Sequence, residues 1–291
     1  MRPLQIGFPL LRWWLVHGAS ACILLGGCSL AIDADRRQCT NNADCVRRGE
    51  AFAKAICVNT QCEPEPKWGC LDYPRTTASK QLESFETTFR VQDILTQEPL
   101  SGVVARLCRK LDTDCVVPES TSISDVQGNI TFDVPASFTT GFSGYVLLSR
   151  DDLLPCLYFF DAPIIDDRKP LVVQLSTLRI ATLLANQIGV DFAPDRGVVL
   201  LSAVDCQDEA AAGVSYTSND DAATTFYSIA GLPNTKATAT DANGFGGLLN
   251  VRSGPVTISA RVGAAQRLLA SVELLVRAGA VTYSRVVPLG D

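Results

Sequence analysis

Cysteines and clustered acids are the residues that could do chemistry in this chain, because histidine is almost absent. The single histidine is His17, and it lies within the first 27 residues, which have the pattern of a removable export signal. Without it the chain has no imidazole for a Ser–His–Asp or Cys–His site, for a zinc ligand or for a proton shuttle near neutral pH. Paired carboxylates remain a possible route to acid–base catalysis. We therefore expect no enzyme activity and no cofactor.

Carboxylates occur in several short segments that could hold calcium or act as paired acids, although acid pairs in loops are more often solvated turn formers. These segments are residues 149–154, 161–168 and 218–223. A fourth segment, TDANGFGGLLNV at residues 240–251, is the best candidate for a metal loop. Calcium requires six or more oxygens, usually with several carboxylates, whereas Asp241 and Asn243 stand alone here. The segment therefore favours a bend between two strands, and we expect no metal site.

The segment at residues 240–251 has an earlier copy in the chain, and both copies have the pattern of a hairpin bend. SDVQGNITFDVP at residues 124–135 shares an S/T-D-x-N/Q-G core with residues 240–251, and a strand-like run follows each core. An Asp that caps the turn and a Gly at positive φ are typical of a hairpin. The side chains expected on one face of the following strand are Ile130, Phe132 and Val134 in the first copy and Phe245, Leu249 and Val251 in the second.

Short runs rich in Val, Ile, Leu, Phe and Thr predict a mainly β fold. In residues 87–176 and 196–291 their length and alternation are those of an antiparallel sandwich. Residues 177–190 place apolar side chains at helical spacing, with Ser176 suited to the N-cap and Gly189 to the end. The expected fold is two separate β-sandwich domains joined by one helix, behind a small disulfide-rich module.

The order of motifs in residues 87–176 resembles the carboxypeptidase regulatory-like domain. The motifs are PLSGVVARL, then SDVQGNITFDVP, then GYVLLS. The resemblance implies a seven-stranded prealbumin-like sandwich but no activity, since no zinc-ligand histidines are present. The second copy has the same marks at Gly213, Asp241 and Gly244, with Arg252 in place of the usual Pro.

The N-terminus has the pattern of an export signal. Residues 1–27 start with positive charge and continue in an apolar run that is too short to cross a bilayer as a permanent helix. The run ends in Leu-Gly-Gly-Cys, which resembles the lipobox of bacterial lipoproteins; the alternative is an ordinary signal peptide that contains cysteines. The resemblance implies cleavage before Cys28, a diacylglycerol on its thiol and, because Ser29 follows, placement at the outer membrane. Residues 28–38 would be a polar tether.

Cysteine usage indicates an oxidising compartment. Four cysteines lie in a module that, with its linker, covers residues 39–70, and a module this small needs covalent staples. They are Cys39, Cys45, Cys57 and Cys62. Their spacing lacks the C-x₂-C pairs of a zinc site, so disulfides are favoured, with three pairings open. The module resembles short cysteine-rich repeats of myxobacterial lipoproteins.

The later cysteines are also assigned to disulfides. Cys108 and Cys115 are interpreted as closing a strand bend rather than as a reactive thiol pair. Cys156 paired with Cys206 would tie the two sandwiches together, and Cys70 would then be free.

The net charge and the aromatic residues limit the classes of partner that we expect for this chain. Loss of residues 1–27 would change the formal net charge from −6 to −8, because two arginines and no acid are removed. An acidic surface argues against nucleic acid and anionic headgroups. We expect a non-catalytic structural or protein-interaction module that reaches the membrane through its lipid. The alternatives are carbohydrate or peptidoglycan binding through exposed aromatics among residues 158–160, and an enzyme with two buried acids in one cleft.

Overall fold

The computed structural model describes residues 37–49, 52, 55–64, 67–72, 85–134, 142–160 and 171–288. The export signal, Cys28 and nearly all of the tether lie outside the described residues, as does the acid-rich segment 161–168. No helix in the described part of the chain is long and apolar enough to cross a bilayer.

The described residues form mainly strands, as predicted. In chain order the elements are α1 (Asn42–Val46), β1 (Ala55–Val58), β2 (Gln61–Pro64), a 3₁₀ helix (Gly69–Asp72), β3 (Phe85–Asp93), β4 (Val104–Arg109), β5 (Ser120–Ile123), β6 (Asn129–Val134), β7 (Gly144–Ser149), β8 (Cys156–Phe159), β9 (Leu171–Leu175), α2 (Leu178–Gln187), β10 (Gly197–Ala203), β11 (Val214–Ser218), β12 (Thr224–Ile229), β13 (Leu232–Asn234), β14 (Phe245–Val251), β15 (Gly254–Val262), β16 (Arg267–Val276) and β17 (Val281–Val286).

The first half of the chain builds a sandwich of seven strands within the described residues. Strands β5, β4, β7 and β8 lie side by side, and β6, β3 and β9 form the sheet opposite. Side chains of β6 alternate as expected, with Ile130, Phe132 and Val134 buried. Phe89 of β3 packs edge-on against Phe132, with ring centroids 5.9 Å apart. These contacts form the first hydrophobic core.

The second half repeats this plan. Strands β13, β12, β14, β10 and β17 lie side by side, and β11, β15 and β16 form the sheet that packs on them. The core between these sheets includes Val199 and Leu201 of β10 and Ile258 of β15. Tyr216 of β11 stacks on Tyr227 of β12 with ring centroids 5.7 Å apart.

The two sandwiches share one sheet, which corrects the expectation of two separate domains. Strands β8 and β17 pair in parallel, from Cys156 opposite Val281 to Phe159 opposite Ser284, and this pairing produces a nine-stranded sheet. Successive side chains of β8 enter different cores. Leu157 packs in the core of the second sandwich, whereas Tyr158 packs in the core of the first. The two smaller sheets therefore cover opposite faces of the shared sheet.

Helix α2 covers part of the face that the β11–β15–β16 sheet leaves open. It begins after Thr177, whose hydroxyl accepts a hydrogen bond from the Ile180 N–H, so the N-cap lies one residue later than predicted. Gly189 follows the helix at φ +71°, as a C-terminal stop requires. Ala185 is the buried residue of the helix, and it packs among residues of β10, β12, β14 and β17.

Two disulfides hold the N-terminal module together, and a third fixes the segment after it to the second sandwich. Cys39 is bonded to Cys57 and Cys45 to Cys62. A third disulfide joins Cys70 to Cys206, while Trp68 and Leu71 pack against the second core.

The Cys70–Cys206 bond shows that the predicted Cys156–Cys206 pair was wrong. Cys156 is a free thiol on the inner face of β8, in the core of the first sandwich, whereas Cys206 follows β10. A thiol buried in the core of the first sandwich does not reach Cys206, whose backbone N–H donates to the Lys67 carbonyl oxygen. Burial raises the pKa of the Cys156 thiol to about 12.

Candidate functional site: an apolar groove beside helix α2

The two Asp-containing bends serve the backbone rather than a metal ion. Asp125 accepts hydrogen bonds from the N–H groups of Gln127 at 2.9 Å and Asn129 at 2.8 Å. Donation by Asn129 lowers the pKa of the Asp125 carboxyl. Asp241 accepts the Asn243 N–H in the same way, at 2.9 Å. In each bend one carboxylate oxygen accepts the N–H two residues later and closes the turn, and the bend interpretation is confirmed.

Glycine is required at one position in each of these bends. Gly128 has φ +77° and Gly244 has φ +64°. A Cβ on Gly128 would lie 2.4 Å from the Val91 carbonyl oxygen, and one on Gly244 would lie 2.4 Å from that of Ala203. The same close approach in both copies supports the internal repeat inferred from the sequence.

Strand β14 departs from the predicted alternation. Phe245 and Leu249 lie on the α2 side of the sheet, but Val251 is buried in the opposite core. The pairing with β10 shifts by one residue between Gly197 and Val199. Asn250 is the extra residue, at φ +57°, so the prediction of one face for all three side chains was wrong.

Acids elsewhere in the described residues also have local structural partners. Asp220 is nearly buried and accepts the backbone N–H and the guanidinium Nε of Arg252 at 2.6 and 2.9 Å. Asp152 is paired with Arg150 at 2.6 Å. Asp220 and Asp152 are therefore used in a turn and in ion pairs.

The described residues also contain one close group of potential metal ligands. It consists of Cys39, Cys45 and Cys62. All three sulfurs are in disulfides, so they do not form a thiolate site in this structure.

The aromatic run in β8 faces inward. Tyr158 is 3 % exposed and stacks on Tyr283 with centroids 5.1 Å apart, while Phe159 stacks on Tyr145 at 4.9 Å. Phe160 is half-buried against the first core. Tyr158 and Phe159 are therefore not available to stack on a sugar, so the exposed aromatic face expected here is not formed by these two rings.

The loop between Cys108 and Cys115 is closed by a disulfide. Asp112 supports the loop by accepting the N–H groups of Val116 and Val117, each at 3.1 Å. A bonded sulfur pair carries no thiolate, so these residues have no nucleophilic role here.

An apolar groove lies beside helix α2. Its volume is about 470 Å³, within the range of small-molecule sites. Helix α2 contributes Ala181, Leu184, Ala185 and Ile188. The shared sheet contributes Val198 and Leu200 from β10, Phe226 from β12, Phe245 and Leu249 from β14, and Val281 from β17. The end of the first sandwich adds Ile94 and Leu95, and Leu95 is 55 % exposed.

The groove is uncharged as well as apolar. The polar residues that line it are Gln97, Gln174, Ser176, Ser228 and Asn243, and none of the described lining residues has a formal charge. The Gln174 side-chain amide donates a hydrogen bond to Gln97 Oε1 at 3.3 Å. The Ser176 hydroxyl donates to the Thr177 carbonyl oxygen at 3.0 Å. Such a lining favours apolar surface and neutral polar groups over ions, because an unpaired charge loses its hydration on entry.

The sequence did not point to this groove. Ser228 and Asn243 were not singled out as polar lining groups, since their role depends on a helix that lies far from them along the chain. The small side chains Ala181 and Ala185 on the inner face of the predicted helix were the available signal, because small residues leave space between a helix and a sheet.

No family model and no curated protein matches the chain. The Bacillus anthracis TIE protein aligns with 71% of this chain at 11% identity and a TM-score of 0.23, and this chain spans 34% of that protein. The shaft pilin SpaA of Lactobacillus rhamnosus GG aligns over 72% of this chain and 99% of its own, at 11% identity and a TM-score of 0.23. A streptococcal ancillary pilin aligns over 71% of this chain and 69% of its own, at 12% identity and a TM-score of 0.24. These values are too low to assign a family or a function.

Proposed function

We propose that the protein is an exported, non-catalytic module of the bacterial cell envelope, anchored to the outer membrane by a lipid on Cys28. One observation carries the proposal: eight of the nine cysteines in the described residues are closed in four disulfides. Disulfides persist in oxidising compartments and are rare in the cytosol. This disulfide content supports export, and the resemblance of residues 25–28 to a lipobox supports the anchor.

The module acts as a rigid body that interacts with envelope proteins. The Cys70–Cys206 bond and the packing of Trp68 and Leu71 support this, because they fix the segment that follows the N-terminal module to the second sandwich. The shared sheet supports it further, since bending at the junction would break the β8–β17 hydrogen bonds. A tether at the N-terminus would then present one stiff body to a partner.

Palmitate labelling tests the anchor, with Cys22 as the matched control. Wild type and Cys22→Ser should incorporate the label, and Cys28→Ser should lose it. Label that persists in Cys28→Ser would contradict the anchor.

Intact mass tests export and oxidation independently of the anchor. Reduction should add two hydrogens for each of the four disulfides. A mature mass that still includes residues 1–27, or no change on reduction, would contradict export to an oxidising compartment.

A further inference from the structure

We propose that the groove beside helix α2 binds a single-chain amphiphile with an uncharged, hydroxyl-bearing head. This activity does not depend on the lipid anchor. It follows from the shape of the groove, from the absence of charge in its lining and from two polar side chains at one end.

The shape of the groove matches an aliphatic chain. Phe245 and Leu249 both line it and are separated by four residues of one strand, which is roughly 13 Å. The groove is therefore longer than one side chain in the direction of the strands. Aliphatic and aromatic carbon surrounds it on the helix side and on the sheet side.

Two of the polar groups that line the groove, Ser228 and Asn243, lie at one end of this axis. Ser202 pairs with Phe245 at one end of the β10–β14 ladder, whereas Gly197 pairs with Val251 at the other. Ser228 and Asn243 lie at the Phe245 end, on strand β12 and in the turn before β14. Val198 and Val281, which are paired with each other, line the opposite end.

Two of these polar side chains have hydrogen-bonding capacity to offer. Ser218, Thr240 and other hydroxyl groups of the second sandwich have protein partners. In the described part of the chain, the Ser228 hydroxyl and the Asn243 carboxamide have none. Both can donate and accept hydrogen bonds, so they suit a neutral hydroxyl-bearing head.

The lining of the groove disfavours a charged head of either sign. A carboxylate head would meet no lysine or arginine among the lining residues, and an ammonium head would meet no acid. An ion in this position would lose hydration without a compensating partner. The neutral head is therefore the one that the lining fits.

Three probes with the same twelve-carbon tail test this preference. The mature chain with Cys28→Ser avoids detergent, and calorimetric titration measures its affinity for monolauroylglycerol, laurate and dodecyltrimethylammonium. Monolauroylglycerol should bind at least tenfold more tightly than either ion. Equal binding of all three, tighter binding of an ion or no binding of monolauroylglycerol would overturn the proposal.

Substitutions on one helix then locate the ligand. Ala181→Trp fills the groove, whereas Leu183→Trp places the same side chain at a half-exposed position that does not line it. Ala181→Trp should weaken binding of monolauroylglycerol at least tenfold and Leu183→Trp should not. Equal effects of the two substitutions would refute the location.

Polar substitutions keep the test valid if Ala181→Trp does not fold. Ser228→Ala and Asn243→Ala each remove one candidate hydrogen bond to the head without adding bulk. Each should weaken binding of monolauroylglycerol about twofold to tenfold, the range for one hydrogen bond. Unchanged affinity in both variants would exclude the proposed orientation and, with it, the proposed ligand.

Discussion

The disulfide between Cys70 and Cys206 allows a sharp test of how the chain is stabilised. The double substitution Cys70→Ser with Cys206→Ser removes a link between residues 136 apart in sequence. Cross-linking restricts the unfolded chain more strongly as the closed loop lengthens, and a loop of this size corresponds to about 5 kcal/mol. The control is Cys108→Ser with Cys115→Ser, whose separation of 7 residues corresponds to about 2 kcal/mol.

The two double variants differ mainly in loop length, because all four cysteines are buried to a similar degree. For a chain of this size each kcal/mol shifts the melting temperature by about 2–4 °C. Scanning calorimetry should therefore find a fall of roughly 10–20 °C for the long loop and roughly 4–8 °C for the short one. Equal losses in the two variants would refute the loop-length reasoning. A larger loss for the short loop would show that local strain or packing dominates.

Four further outcomes are expected. Leu157→Ala should lower stability by about 2–5 kcal/mol and shift one single calorimetric transition, whereas separate domains would give two transitions of which one moves. Gly102→Ala, where a Cβ meets nothing within 4 Å, should lower the free energy of unfolding by about 1 kcal/mol. Gly128→Ala should lower it clearly more, because its Cβ would contact a carbonyl oxygen. Similar urea midpoints for the two variants would contradict this. The lowered pKa of Asp125 stabilises the fold above the pKa of the unfolded chain and is lost as pH falls through the folded value, so Asp125→Asn should show a shallower loss of stability below about pH 5. The thiol of Cys156, with a pKa raised to about 12 by burial, should react with Ellman's reagent only after denaturation, and rapid labelling of the native protein would contradict the core assignment.

Local features of this fold were predictable because their causes lie within a few residues. The Asp-containing bends need an oxygen at one position and a positive φ three residues later, and both are visible in the sequence around Asp125 and Asp241. Helix α2 was similarly predictable from its apolar spacing and its glycine stop. The bulge at Asn250 was not, since asparagine is compatible with both regular strand and positive φ.

Long-range pairings were not predictable from one sequence. Strands β8 and β17 are separated by more than a hundred residues, and nothing in the sequence of either strand indicates a partner in the other half of the chain. Which edge strands meet depends on the shapes of two finished sandwiches rather than on a local pattern. The partner of Cys206 was missed for the same reason, because it depends on where the segment around Cys70 packs.

The groove follows from how the shared sheet is covered. The β11–β15–β16 sheet covers one face of the second half, and α2 with the end of the first sandwich covers the other. A helix is about 10 Å across, whereas five strands spaced by roughly 4.8 Å are about 19 Å wide. Among the described residues, one helix of ten residues therefore leaves part of that face open, and the small side chains of Ala181 and Ala185 widen the gap. The apolar groove beside α2 thus follows from a helix that is narrower than the five strands it packs on.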